Sequence, residues 1–481
     1  MKPIASGILS AATLCLSAPS ALAMYLNAGG SGQVLVYPYY TVNGGYNSFV
    51  TITNSTSGGK AVKVRLLEGY DGRDVMDFNL YLSPHDYWAG VIVPTAGGAA
   101  IFSGDNSCTV PALPTTAATA LPFTTANFDG TGEQGKDGGP TGVARTREGH
   151  VEIIEMGALT GPSDTLKAIT HAFGVPANCA SVVSAWANGG KWTIDSTRDI
   201  GAPSGGLSGN AMILDVANGV VFSYAADAIA QFYVKGGLGE HSRPDALTPN
   251  ISSATSHVAD IHTDDAPLSL TYTRSIDAVS ALFMADNVQN EYWTSPGIAG
   301  NSEWVLTYPT KRFYVDPYYA VDAVQPPFDA RFSAVNGGTA FSQMKVDSWD
   351  REERSPVIFA PFGSLQSVFG LSYETQVLGF NQAQPGSALL ASKLVSGDFV
   401  AGIDNGWFQI ALGTQAVAGS NQQLVAAANG DILVGQPVTG FWAFGFANGD
   451  VNGQHVLANY SALYRHKMHV GCKRVDGAPC T

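Results

Sequence analysis

The stretch Ser48-Phe49-Val50-Thr51-Ile52-Thr53-Asn54-Ser55-Thr56-Ser57-Gly58-Gly59-Lys60-Ala61-Val62-Lys63-Val64-Arg65-Leu66 sets the fold class. Val50 and Ile52 alternate with Thr51 and Thr53, the period of two that places apolar side chains on one face of a strand. Ser55 to Gly59 carries no apolar residue and ends in the two glycines a turn tolerates. From Ala61 to Leu66 the alternation resumes, with Lys63 and Arg65 set against Val62, Val64 and Leu66. Outward from this pair, Val34–Tyr40 precedes it, and 75–82 and 87–93 follow it, separated by the turn Ser83-Pro84-His85-Asp86. Strands at this spacing predict an immunoglobulin-like β-sandwich over residues 24–110.

Beyond it, 95–142 is rich in Gly, Ala, Thr and Pro and reads as loop. A strand is predicted over 149–156, then two short helices, one capped by Ser163 and one running from Asn178 to Ala187. Asn218-Gly219 marks a hairpin and 240–268 reads as loop again. Residues 111–300 are therefore expected to form a mixed α/β insertion. Strand patterns return from 301 to 481, among them 304–308, 313–315, 332–335, 344–349, 374–380, 407–412 and 438–446, the last apolar on both faces. Val36-Tyr37-Pro38-Tyr39-Tyr40 and Val315-Asp316-Pro317-Tyr318-Tyr319 share a Pro-Tyr-Tyr core, expected to open each of two related modules. The expectation is a mainly β protein: one or two immunoglobulin-like sandwich modules with that insertion.

The first 23 residues have the pattern of a secretory signal peptide: Lys2, an apolar core over Ile4–Leu16, and Ala21-Leu22-Ala23 as the cleavage site. Cleavage is expected before Met24, giving a secreted or cell-surface protein, and no later run is long enough for a transmembrane helix. Four cysteines then remain, which suits an oxidising compartment. Proximity pairs Cys472 with Cys480, and elimination pairs Cys108 with Cys179. A net charge of −14 without any Lys/Arg cluster argues against nucleic acid.

Five stretches, 62–88, 304–316, 347–353, 435–449 and 458–467, resemble a family of secreted bacterial proteins that has no assigned activity. The resemblance spreads over most of the mature chain. It implies export and a β-rich fold, and it implies no substrate or cofactor.

Chemistry-bearing residues are sparse. Asp350-Arg351-Glu352-Glu353-Arg354 is the densest charge run. A glycosidase needs two carboxyls at a defined separation, and flat indoles stack on sugars. Asp350, Glu352 and Trp349 are therefore the carbohydrate-site candidates; the competing expectation is a surface turn whose opposite charges pair. Asn448, Asp450 and Asn452 match the front of a calcium loop, but the twelfth position is Asn459 rather than a bidentate Glu, so no cofactor is expected beyond possible calcium. His466, His469 and Cys472, and the looser set His257, Asp260, His262 and Asp264, have weak metal-ligand spacing, with a disulfide the better reading for Cys472. No nucleophile elbow, zinc-protease or phosphate-loop motif is present.

The expected function is thus an exported, non-enzymatic structural or adhesive protein of the cell surface or extracellular matrix. Its expected partners are other surface proteins, further copies of itself, or polysaccharide. The alternative is a polysaccharide-binding or glycoside-hydrolysing protein. Trp304, Trp349 and Trp407 together in one exposed groove beside two carboxylates would favour that alternative.

Overall fold

The two strands around the Ser55–Gly58 turn form, but they do not pair with each other. Asn47–Asn54 and Gly59–Glu68 enter different antiparallel sheets, so the turn crosses from one sheet to the next. The computed structural model describes residues 23–159, 161–355, 368–381, 386–399, 403–413, 422–448 and 458–480. The predicted signal, apart from Ala23, lies outside the described residues.

Sheet I runs in the order Tyr25–Leu26, Asp227–Ala230, Val34–Thr41, Glu148–Leu159, Gly59–Glu68, Asp74–Leu82, Cys108–Val110. Sheet II runs Val220–Ala225, Asn210–Asp215, Asn47–Asn54, Tyr87–Pro94, Ala99–Phe102, Leu121–Pro122. Leu35, Tyr37, Val62, Val64 and Val151 of sheet I share one core with Val50, Ile52, Trp88 and Ile213 of sheet II. Sheet III runs Val368–Leu371, Ser342–Trp349, Asn405–Ala411, Asn287–Trp293, Lys467–His469. Sheet IV runs Val395–Phe399, Thr375–Phe380, Asn301–Thr307, Thr439–Asn448, Ala458–Arg465. Met344, Phe408 and Val288 of sheet III pack with Trp304, Leu378 and Trp442 of sheet IV. The chain is mainly β, built of face-packed sheets that are antiparallel except where Thr375–Phe380 and Val395–Phe399 pair in parallel.

The central strands of sheet IV are buried on both faces. Trp304 and Leu306 join the core toward sheet III, while Val305, Val377 and Phe441 join the core of sheets I and II. This is why 438–446 is apolar at successive positions: a strand covered on both sides loses the polar half of its alternation.

The divisions drawn at residues 110 and 300 do not follow the sheets. Glu148–Leu159 lies between Val34–Thr41 and Gly59–Glu68 in sheet I, and Asn210–Asp215 pairs with Asn47–Asn54 in sheet II. Asn287–Trp293 pairs with Asn405–Ala411. Pairing partners so far apart leave no local mark in the sequence. The two Pro-Tyr-Tyr copies also differ: the first lies inside the buried strand Val34–Thr41, whereas the second follows the short helix Arg312–Val315 in a turn. There the Asp316 carboxylate accepts from Tyr318 N and its carbonyl from Tyr319 N and Ala320 N. That capping explains why the copy at 315–319 cannot continue as a strand. The segment 332–335, read as strand, is likewise loop and 3-10 turn over Ala334–Asn336.

Both disulfides form as paired in the sequence: Cys108 with Cys179 and Cys472 with Cys480. Ser163 caps its helix by accepting from Leu166 N at 3.1 Å, and Asn178 caps Cys179–Ala185. No helix among the described residues is long and apolar enough to cross a membrane.

Charge holds the halves together. Arg312, fully buried, donates to Glu374 Oε1 at 2.7 Å and to Glu152 of sheet I, with His150 Nε2 3.8 Å from Glu374. Arg73 pairs with Asp316 at 2.7 Å, and Arg145 gathers Glu68, Asp71 and Asp137 beneath the Tyr70 and Phe128 rings. Gly72 lies in the turn between these ions at φ 76°, where a Cβ would stand 2.5 Å from the Glu374 carboxylate. Removing one partner of a buried, hydrogen-bonded pair leaves the other charge uncompensated. Arg312→Ala is expected to destabilise the fold by about 3–5 kcal/mol in denaturant unfolding, whereas exposed Arg243→Ala should change it by less than about 1 kcal/mol.

Three buried histidines set an acid limit on stability. Burial pulls His466 down to about 3 and His241 down to about 4, and lowers His150 as well. A histidine held neutral in the fold binds its proton more readily when unfolded, so its contribution is present above the unfolded value near 6.5 and is lost as pH falls toward the folded value. Burial raises Glu303 to about 7 and Glu374 to about 8, which acts in the opposite sense over its own window, as pH rises from 4.5. The His466 part is isolated by difference: His466→Gln should flatten the fall in melting temperature between about pH 6.5 and pH 4.

Candidate functional site: an aromatic groove on the outer face of sheet III

Sheet III, unlike the central strands of sheet IV, keeps one face toward solvent. Along Asn287–Trp293 the inward residues are Val288, Asn290 and Tyr292, so Gln289, Glu291 and Trp293 face outward. Along Asn405–Ala411, Phe408 and Ile410 are buried and Trp407 faces outward; along Ser342–Trp349, Met344 and Val346 are buried and Trp349 faces outward. Register then assembles the site. Trp407 stands opposite both Trp349 and Glu291, and Trp293 stands opposite Asn405. The Trp349 and Trp407 rings stack at 4.0 Å with an angle of 13°.

Next to this stack is a groove of about 470 Å³ whose lining includes Gln289, Glu291, Trp293, Asn405, Trp407 and Lys467, together with Asp350 and Arg351. Its two indoles remain accessible, Trp293 at 41 % and Trp407 at 37 %. Trp293 is fixed by an edge contact with Trp442 at 6.3 Å and tilted ring contacts with Phe444 and Phe446, both at 5.7 Å, and its backbone N–H donates to Ser302 Oγ at 2.7 Å. Among the described residues, the side chains of Gln289, Glu291 and Lys467 make no internal hydrogen bond or ion pair, whereas nearby Gln409 donates to Asn287 at 2.8 Å. The groove therefore offers two flat apolar surfaces, the unpaired Glu291 carboxylate and Lys467 ammonium, and the amides of Gln289 and Asn405, beside the Asp350 carboxylate and the Arg351 guanidinium. A ligand with an apolar face and a rim of hydroxyls matches that set.

Trp349 belongs to this surface and Asp350 lines the groove, whereas Glu352 is not part of its lining. Asp350 accepts from Glu352 N and Arg354 N, both at 2.9 Å, and from Arg354 Nε at 2.7 Å. Partial burial opposes its charge, but the two backbone N–H groups and the guanidinium outweigh it and hold the Asp350 carboxyl below its usual range. Glu352 is exposed and pairs with Arg354 at 3.2 Å. The run 350–354 is a turn in which Arg354 pairs with both Asp350 and Glu352. Trp304 is absent from the groove: it is fully buried between sheets III and IV and donates Nε1 to Glu291 O at 2.9 Å.

The metal sets do not converge. His466 is buried and bonds Val305 O, while His469 pairs with Asp286 at 2.6 Å. Asp431 comes close to Cys472 and Cys480, but those sulfurs are bonded to each other and cannot act as thiolates. His257 bonds Tyr272 O, and of its set only Asp264 approaches another ligand type, His469, at 3.6 Å. Asp450 and Asn452 lie outside the described residues, and Asn459 donates to Asn218 O.

Sequence reasoning missed Trp293, Glu291, Gln289 and Lys467. The signal was present in Asn287-Val288-Gln289-Asn290-Glu291-Tyr292-Trp293, where the odd positions are polar or aromatic and Val288 and Tyr292 are apolar. Placing that run in an insertion hid it. No protein-family profile matches the chain, and no curated protein or solved structure matches it.

Two nearly parallel indoles this close couple their electronic transitions. Far-ultraviolet circular dichroism should show an exciton couplet in the native protein that is lost in both Trp349→Phe and Trp407→Phe and kept in Trp293→Phe.

Proposed function

We propose that the protein is a non-enzymatic adhesive protein that binds polysaccharide through the outer face of sheet III. The observation that carries this reading is the groove between Trp293 and Trp407, two solvent-facing indoles with unpartnered Glu291, Gln289 and Lys467 between and beside them. Side chains this apolar usually turn inward on a sheet with a filled core; a pair left outward and fixed in place supports a contact surface. An indole receives the C–H face of a pyranose, and the polar groups can fix ring orientation through its hydroxyls. Export, the two disulfides and the low charge fit an extracellular setting.

The same geometry speaks for binding over hydrolysis. Glycoside cleavage needs a second carboxyl across the scissile bond from the first. The groove has Glu291 without an internal partner, while Asp350, also in its lining, already accepts three hydrogen bonds within its own turn.

The test is retention on a panel of insoluble polysaccharides together with a glycan array, using the full secreted chain. Trp407→Ala and Trp293→Ala are each expected to weaken retention more than about tenfold, the effect of removing a central aromatic contact. Exposed Tyr87→Ala, on sheet II, should leave retention unchanged. Binding to no glycan, or wild-type binding by both tryptophan variants, would refute the proposal.

A further inference from the structure

A second feature lies on the face of sheet I that turns away from sheet II. Lys63 and Asn79 stand directly opposite each other on the antiparallel strands Gly59–Glu68 and Asp74–Leu82, and Arg65 stands opposite Asp77 two pairs along. All four side chains therefore project from the same face. Lys63 and Asn79 are fully buried. Both are tied to one short covering segment: Asn79 Nδ2 donates to Ser242 O at 2.9 Å, and Lys63 Nζ donates to Arg243 O and to Pro244 O at 3.1 Å.

The polar accounting around this pair is incomplete. Arg65 takes Asp74 and lies 3.5 Å from Asp77, and no carboxylate among the described residues comes within ion-pair distance of Lys63. Asn79 Oδ1 and Asp77 Oδ1 are buried and accept no hydrogen bond. Burial pulls the Lys63 amine down to about 8, against the nearby Asp77. Burial, reinforced by Asp74, pushes the Asp77 carboxyl well above its usual range. A neutral amine has two N–H bonds and one lone pair. In its neutral form Lys63 gives those two N–H bonds to the Arg243 and Pro244 carbonyls and keeps the lone pair, with Asn79 directly opposite on the paired strand.

We infer that Lys63 and Asn79 form an intramolecular isopeptide bond, with Asp77 as the proton-transfer group. The Lys63 Nζ lone pair attacks Asn79 Cγ while the Asp77 carboxyl gives its proton to Oδ1. The Asp77 carboxylate then takes the excess proton from Nζ and passes one proton to the leaving Nδ2. The Cγ–Nδ2 bond breaks, ammonia departs, Oδ1 returns its proton to restore the carbonyl, and Asp77 ends protonated as it began. No oxidant or cofactor takes part. The product replaces a buried amine and an unsatisfied amide with a neutral amide cross-linking two neighbouring strands of sheet I. This inference is independent of the sheet III groove.

The experiment is intact-mass spectrometry of the full secreted chain after complete disulfide reduction, followed by peptide mapping. The expected result is a protein lighter than its sequence by one ammonia, with a branched peptide joining Lys63 to Asn79. Lys63→Arg and Asn79→Ala should each have the full sequence mass, and Asn79→Asp should lose water instead. Because Asn79 could also lose ammonia by closing on its own backbone, Lys63→Arg that still lacks ammonia would overturn the inference. So would wild-type protein at full sequence mass. Asp77→Asn, checked for folding by its two disulfides, should form the bond more slowly; an unchanged rate would overturn the role given to Asp77.

Discussion

Sheet I carries His150, Glu152, Lys63, Arg65 and Asp77 on the face turned away from sheet II, and that face is buried. Ions taken from water are costly unless the covering structure supplies counter-charges and hydrogen bonds. Here it does so from distant parts of the chain. Carbonyls of Leu247 and Pro249 accept from Arg65, and Arg312 with Glu374 closes over Glu152 and His150. The covering segments are thereby placed, because any other docking would strand charge. The same logic runs along the contact between halves, where Glu148 accepts from Ser392 Oγ and Lys393 N, and Asp227 accepts from Thr439 and Arg465.

Once the halves are held this way, the central strands of sheet IV are covered on both faces, and sheet III is the outer layer on its side of the core. That arrangement decides what each aromatic residue does. Trp304, Trp442, Phe380 and Phe408 fill the interior, whereas Trp293, Trp349 and Trp407 are left facing outward on a sheet whose other face is a filled core. A recognition surface built on paired strands is better fixed than one on loops. Trp293 gains further support from Trp442 and Phe444 at the junction of sheets III and IV.

The charge run 350–354 shows how local sequence can mislead. Five charged residues beside a tryptophan look like chemistry, yet Asp350 spends its oxygens on closing a turn around Arg354. The unpartnered polar groups belong instead to Gln289 and Glu291, on a strand that joins Trp407 across more than a hundred residues. Trp349 was identifiable because aromatic and charged residues adjoin in the chain. Trp293 was not, because its neighbours in the groove come from pairing between remote strands. The Pro-Tyr-Tyr copies make the same point: equal short sequences became a buried strand and a capped turn because Lys311 and Arg312 are held by Tyr373 and Glu374.

By itself the sequence determined what depends on neighbours along the chain. That covers the period-two strands and hence the mainly β class, the Ser163 and Asn178 caps, and the Asn218-Gly219 hairpin. The short-range cysteine pair, and by elimination the long-range one, were legible on the same terms. Only the tertiary structure decided which strands share a sheet, which sheet is covered on both faces, and which tryptophans stay outside. Those outcomes rest on burial and on counter-charge between residues hundreds of positions apart. Alternation states that a strand has two faces, but it does not say what will cover them.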